Sequence, residues 1–250
     1  MAVKDLVRPV LRPLRSLPVI GPLLRPERLL LLQQRLRFTG SASFWERRYA
    51  GGLTSGNGSY GDSGAAKATF LNAFVNEHHV QSVIEFGCGD GHQLSLSNYP
   101  SYIGLDVSPT AIDMCKQRFA DDPAKSFFLY DGSRFIDRHG LFMAEAAFSL
   151  DVIYHLIEEP VFDSYMTHLF AAGKCYVVIY STNSARPEND PDLHYAPHVR
   201  HRRFSSWVEE NCPQWRLTQV TPGPLLAAFH VYERTDREPL RAGAMSIGKK

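Results

Sequence analysis

From residue 65 onward the hydrophobic positions switch repeatedly between two periods. Phe70, Leu71, Phe74 and Val75 recur at three- and four-residue spacing within 65–80, the stripe of an amphipathic helix. The apolar run ending at Phe86 is short and stops at glycine, as a buried strand does. The pattern then predicts strands near 82–86, 101–106, 126–130, 146–151, 174–181, 215–221 and 227–233. Helices are predicted near 92–97, 109–119, 160–171 and 204–211. Strands that alternate with helices build an α/β domain around a mostly parallel sheet, here closed by a hairpin-like final pair. No internal repeat and no second domain interrupts the span 65–235.

Before this domain the pattern changes twice. Between Phe38 and Ser63 the chain turns glycine-rich, with six glycines from Gly51 to Gly64, which predicts a long irregular segment. Residues 41–64 read as a lid loop, because the flanking Phe44, Trp45, Tyr49 and Tyr60 are unusual in a plain linker. Residues 1–40 carry eight basic side chains against Asp5 and Glu27, and Pro9, Pro13, Pro18, Pro22 and Pro26 interrupt them. A helix is therefore expected only after Glu27. Two readings of this arm stand side by side: a surface that touches anionic lipid or an acidic substrate, and a segment docked on the domain with solvated arginines. Residues 236–250 read as a flexible tail.

Composition narrows the class. With 44% hydrophobic and 21% charged residues the chain is ordinary for a globular protein. A formal net charge of +1 argues against wholesale polyanion binding, so no nucleic-acid partner is expected. Cys88, Cys115, Cys175 and Cys212 form no CxxC pair and show no zinc-ligand spacing, which fits a reducing, cytoplasmic setting. No apolar run reaches the roughly 18 residues that cross a bilayer. Contact with a membrane would be peripheral, through the basic arm.

The candidate chemistry sits at strand ends. The run Glu85-Phe86-Gly87-Cys88-Gly89-Asp90-Gly91 places an acid and alternate glycines directly after a strand, where glycine permits a tight turn against a ligand. The next strand ends in Asp106, 21 residues after Glu85, a position from which a carboxylate can grip both ribose hydroxyls. The third strand ends in Asp131-Gly132. One such acid could be a helix cap or a solvated charge, but three at successive strand ends converge beyond the carboxyl edge of the sheet, where ligands bind in open α/β folds. The GxGxG spacing departs from the GxGxxG of nicotinamide enzymes.

This constellation resembles motif I and the following acids of class I S-adenosylmethionine-dependent methyltransferases. The resemblance implies a Rossmann-like class I methyltransferase fold, with a seven-stranded mostly parallel sheet and helices on both faces. It implies S-adenosyl-L-methionine as cofactor, with Asp106 on the ribose and Asp131 beside the adenine amino group. The implied cofactor-binding set is Glu85, Gly87, Gly89, Asp106, Val107, Asp131, Gly132, Asp151 and Tyr60. The run from Phe148 to Glu159 looks like motif IV and its following turn. Histidine titrates in the range useful for deprotonating a hydroxyl, so His155 is the candidate base and His201 the second. Each could instead only close or support the pocket.

Asp151 and Glu158 could assist or hold a divalent metal, and no ligand spacing decides whether a metal is used. His194, His198 and His201, interleaved with Arg200, Arg202 and Arg203, could bind phosphate, carboxylate or sugar, or be a solvated run before the next helix. The order of the segments is similar to bacterial saccharide-pathway O-methyltransferases, which implies a sugar or sugar-containing small molecule as acceptor. No NPPY-type tetrapeptide follows the fourth strand, so oxygen is the expected target. The competing reading is a non-catalytic cofactor- or partner-binding protein, or an enzyme acting on a non-sugar small molecule.

Overall fold

The structure is a computed structural model that describes residues 38–184, 198–224 and 226–236. The basic arm, its helix from Glu27, His194 and the tail beyond Asp236 lie outside the described residues. Seven strands form one sheet in the order β3-β2-β1-β4-β5-β7-β6. They are β1 (Val83–Phe86), β2 (Tyr102–Asp106), β3 (Lys125–Leu129), β4 (Ala144–Leu150), β5 (Gly173–Ser181), β6 (Trp215–Pro222) and β7 (Ala228–Arg234). β1 to β5 run parallel, and β7 inserts antiparallel between β5 and β6. The final pair is thus a hairpin, as its spacing suggests, but it is the second of its strands that joins the parallel set.

Alternation along the central strands divides the core. Ile84, Phe86, Val177 and Ile179 face one layer, built with α4 (Glu159–Ala172) and α5 (Phe204–Asn211). Val83, Val178 and Tyr180 face the other, built with α2 (Gly61–Glu77) and α3 (Pro109–Arg118). The sheet is covered on both faces, which is why β1 and most of β4 and β5 are apolar on both sides.

The irregular segment expected over 38–63 is corrected in its first half. Ser41–Ala50 is a helix, α1, and only 51–60 is irregular apart from a short 3₁₀ turn at Asn57–Ser59. The glycines lie at position 40 and after position 50, so SASFWERRYA has no internal breaker. Its Trp45 and Tyr49 point the same way one turn apart. The helix expected near 92–97 is only a 3₁₀ turn, Leu94–Leu96, because the preceding glycine turn consumes the length a helix would need. Among the described residues, no helix is long and apolar enough to cross a membrane.

Candidate active site

All five parallel strands end on one side, and there a cavity of about 860 Å³ opens. Its floor is the turn after β1. Gly87 and Gly89 take φ of 86° and 57°, in the left-handed region that favours glycine. A Cβ on Gly87 would lie 2.5 Å from Val152, and one on Gly89 only 2.4 Å from the Ser55 hydroxyl. Glycine is required for both reasons.

Asp106 closes one flank. Its two carboxylate oxygens accept from the Gly89 and Ser108 amides, each at 2.9 Å, which aims the group over the turn and leaves lone pairs for a ligand. Burial pushes its carboxyl up to about 6 despite the amide donors. Burial likewise pushes Glu85 up to about 7, against a hydrogen bond from the Tyr102 hydroxyl at 2.7 Å. Val107, Asp131 and Gly132 continue the same wall. Asp131 is solvent-facing and accepts from the Ser133 amide and hydroxyl.

α1 roofs the cavity and is tied down by hydroxyls and carboxylates. Ser41 donates from its amide and hydroxyl to Glu158, at 2.9 and 2.6 Å. Glu46 accepts from the Ser108 and Thr110 hydroxyls at the start of α3, at 2.6 and 2.7 Å. Trp45, Arg48 and Tyr49 thereby line the cavity. The irregular stretch after α1 is anchored too: the Ser55 amide and the Tyr60 hydroxyl both donate to Asp90 Oδ2, at 2.9 and 2.8 Å. Tyr60 stacks on His92 and does not belong to the cavity wall; with Asp90 it holds the stretch that brings Ser55 to the cavity.

His155 lines the opposite end. Its Nδ1 lies 2.8 Å from the His198 carbonyl, an acceptor only, so Nδ1 carries the proton and Nε2 keeps its lone pair. Trp45 meets the ring edge-on at 4.9 Å, and Tyr154 and His198 pack beside it. Burial lowers its pKa to about 4, and the nearby Arg48 charge lowers it further. His201 bonds through Nδ1 to the Thr182 hydroxyl at 2.7 Å, behind Tyr154, and is not on the cavity wall. Of the two candidate bases, the structure places only His155 against the space a ligand would fill.

Arg200 and Arg202 do not face the cavity as an anion site. Both bind Glu159, at 2.6 and 2.7 Å, and Arg202 also donates to the Leu156 and Ile157 carbonyls. They fasten the chain after His198 onto the turn that carries His155. Among the described residues, no group of three His, Cys, Asp or Glu side chains could hold a metal ion. Asp151 and Glu158, the acids weighed for that role, are engaged by Lys67 and Tyr154 and by Ser41 respectively.

Lys67 is the residue that sequence reasoning missed. It is 1% exposed and its Nζ lies 2.5 Å from Asp151 Oδ2, while the Tyr154 hydroxyl donates to Oδ1 at 2.8 Å. Asp151 itself adopts φ of 61°, uncommon for a residue with a side chain and worth about 1–3 kcal/mol of strain. The signal was present: Lys67 sits four and seven residues before Leu71 and Phe74, inside an otherwise apolar stripe. Lys67→Met should therefore cost about 3 kcal/mol by leaving the Asp151 carboxylate uncompensated. Thermal unfolding checks it, and an unchanged Tm would show that water already screens the pair.

Strand order, glycine turn and strand-end acids together define the Rossmann-like fold of class I methyltransferases. Solved structures with the same fold include the methyltransferase domain of bacterial CtHen1, at TM-score 0.53 and 20% identity over 68% of this chain and 97% of that one. The N-methyltransferase NodS of Bradyrhizobium japonicum WM9, in complex with S-adenosyl-L-homocysteine, aligns at 0.57 and 15% identity over 78% and 98%. The magnesium protoporphyrin IX methyltransferase ChlM of Synechocystis PCC 6803, also with S-adenosylhomocysteine bound, aligns at 0.55 and 14% over 80% and 97%. No family model matches the sequence, and no curated protein matches it.

Proposed function

We propose that this chain is an S-adenosylmethionine-dependent methyltransferase acting on a hydroxyl oxygen of a small molecule, a sugar or sugar-containing metabolite. One observation carries the cofactor assignment: the glycine turn and Asp106 meet on one wall of a cavity large enough for a nucleoside and a second reactant. The residues fit such a ligand. A Cβ at Gly87 or Gly89 would fill the cradle, and Asp106 keeps lone pairs for two ribose hydroxyls. Asp131 stands further along the same wall, where adenine would follow. Solved methyltransferases of this fold carry S-adenosylhomocysteine.

When bound, the cofactor supplies an electrophilic methyl group. The remaining tasks fall to the protein. A hydroxyl is a poor nucleophile until its proton is being removed, and His155, which lines the cavity, keeps Nε2 unprotonated. The His198 carbonyl fixes that tautomer, and α1 shields the reacting space from water. Aromatic faces of Trp45 and Tyr154 beside fixed polar groups suit a flat-sided polar acceptor such as a pyranose. A general base is what favours oxygen over an amine, whose lone pair is free once neutral.

Because His155 must be neutral to accept a proton, kcat at saturating cofactor should be lost as pH falls through about 4, with no acid limb near 6.5. A pH–rate profile checks this. The reading itself is tested by transfer of a labelled methyl group from S-adenosylmethionine to a panel of sugars and nucleotide sugars. Micromolar cofactor binding with label in a hydroxyl ether supports it. Tight binding with no transfer to any acceptor would leave a cofactor-binding protein instead.

A further inference from the structure

The cavity carries one charge that its walls do not balance. Arg48 lines it from α1, half-buried, with Nε donating to the Thr54 carbonyl at 2.6 Å and the guanidinium 5.7 Å over the Trp45 ring. Those two contacts fix the side chain, yet no acidic partner reaches it among the described residues. The acids of the cavity are all committed elsewhere: Glu158 to Ser41, Asp151 to Lys67, Asp106 to backbone amides, Glu85 to Tyr102 and Asp131 to Ser133. Its charge opposes protonation of the His155 and His198 imidazoles. A pre-positioned guanidinium with unused amino groups, in a pocket rather than on open surface, is built for a planar or polyvalent oxyanion.

We infer that Arg48 is an oxyanion-binding residue of this cavity and takes a carboxylate or phosphate carried by a bound ligand. The identity of that ligand rests on the methyltransferase reading. Arg48 lies at the His155 end, away from Asp131, so the anion belongs either to the acceptor or to the amino-acid tail of the cofactor. Both sources present the same chemistry to the same two amino groups.

Titration calorimetry separates them. One arm compares S-adenosylhomocysteine with its decarboxylated analogue. The other, on protein saturated with S-adenosylhomocysteine, compares methyl glucuronide and glucose 6-phosphate with uncharged methyl glucoside. In at least one arm the anionic ligand should bind about tenfold or more tighter, the scale of one charge-assisted hydrogen bond, and Arg48→Met should erase that preference. Preference in the first arm assigns the cofactor carboxylate; in the second, an anionic acceptor. No preference in either arm overturns the inference. So does an Arg48→Met protein that keeps the preference, or one that weakens charged and uncharged ligands equally, which would mark a structural role. Failure of the wild type to bind S-adenosylhomocysteine or its analogue at all would instead overturn the methyltransferase reading, and thermal unfolding of the variant confirms that it is folded.

Discussion

Asp106→Ala is expected to weaken S-adenosylhomocysteine binding about 100-fold or more, since two charge-assisted hydrogen bonds to ribose are each worth about 1.5–3 kcal/mol. The carboxylate has a second task, holding the Gly89 amide at 2.9 Å, so its loss also loosens the turn beneath the ligand. Asp106→Asn, which keeps the shape and one acceptor oxygen, should fall between wild type and alanine. Burial holds the free carboxyl at about 6, and hydroxyl donors favour its anion. Affinity should therefore decline as pH drops below that value, where a proton competes with the ribose. Calorimetry across pH 5 to 8 reads both effects. Wild-type affinity in the alanine variant would remove Asp106 from the ligand site and with it the nucleoside geometry.

His155→Ala is expected to slow methyl transfer by about 10²- to 10⁴-fold, the usual contribution of a positioned base. It should leave S-adenosylhomocysteine affinity nearly unchanged, because the ring faces the end of the cavity away from Asp106. Activity should not vanish. Alignment of the two reactants contributes roughly 7–11 kcal/mol to such reactions, and the glycine turn and α1 supply that without the imidazole. A burial-depressed base of pKa about 4 is a weak one, so the loss should sit toward the lower part of the range. His201→Ala serves as the internal comparison: its ring bonds Thr182 behind the wall, and its removal should act far less. Equal turnover in wild type and His155→Ala would leave proton removal to solvent or to the acceptor itself.

The parts of this site that were legible in the sequence are local in the chain. A strand followed by alternate glycines, and an acid at the end of the next strand, depend on a few consecutive residues, so Gly87, Gly89, Asp106 and Asp131 appear where the spacing puts them. α1 was hidden because TGSAS and the glycines from position 51 bracket a helix of only 10 residues, and local composition outweighed its pattern. Lys67 was hidden for a different reason. A single charge in an apolar stripe is usually a snorkelling side chain, and only the partner at Asp151, 84 residues away, reveals a buried pair. The histidines at 155, 198 and 201 could be gathered by type, yet which of them faces the cavity depends on Arg200 and Arg202 folding that segment against Glu159.

The roof of the cavity has only two buried residues, Ser41 and Tyr49, and is otherwise fastened by hydroxyl–carboxylate contacts at Ser41 and Glu46 and by ring contacts of Phe44 and Trp45 with His198 and His155. Apolar burial resists separation because nothing in water replaces it, whereas water can take over each of the hydroxyl–carboxylate contacts one at a time. The helix can therefore loosen at its polar latches while the sheet beneath stays intact. Entry and exit become a matter of unlatching rather than unfolding. The glycine turn lies beneath that latch, with Gly89 against Tyr49.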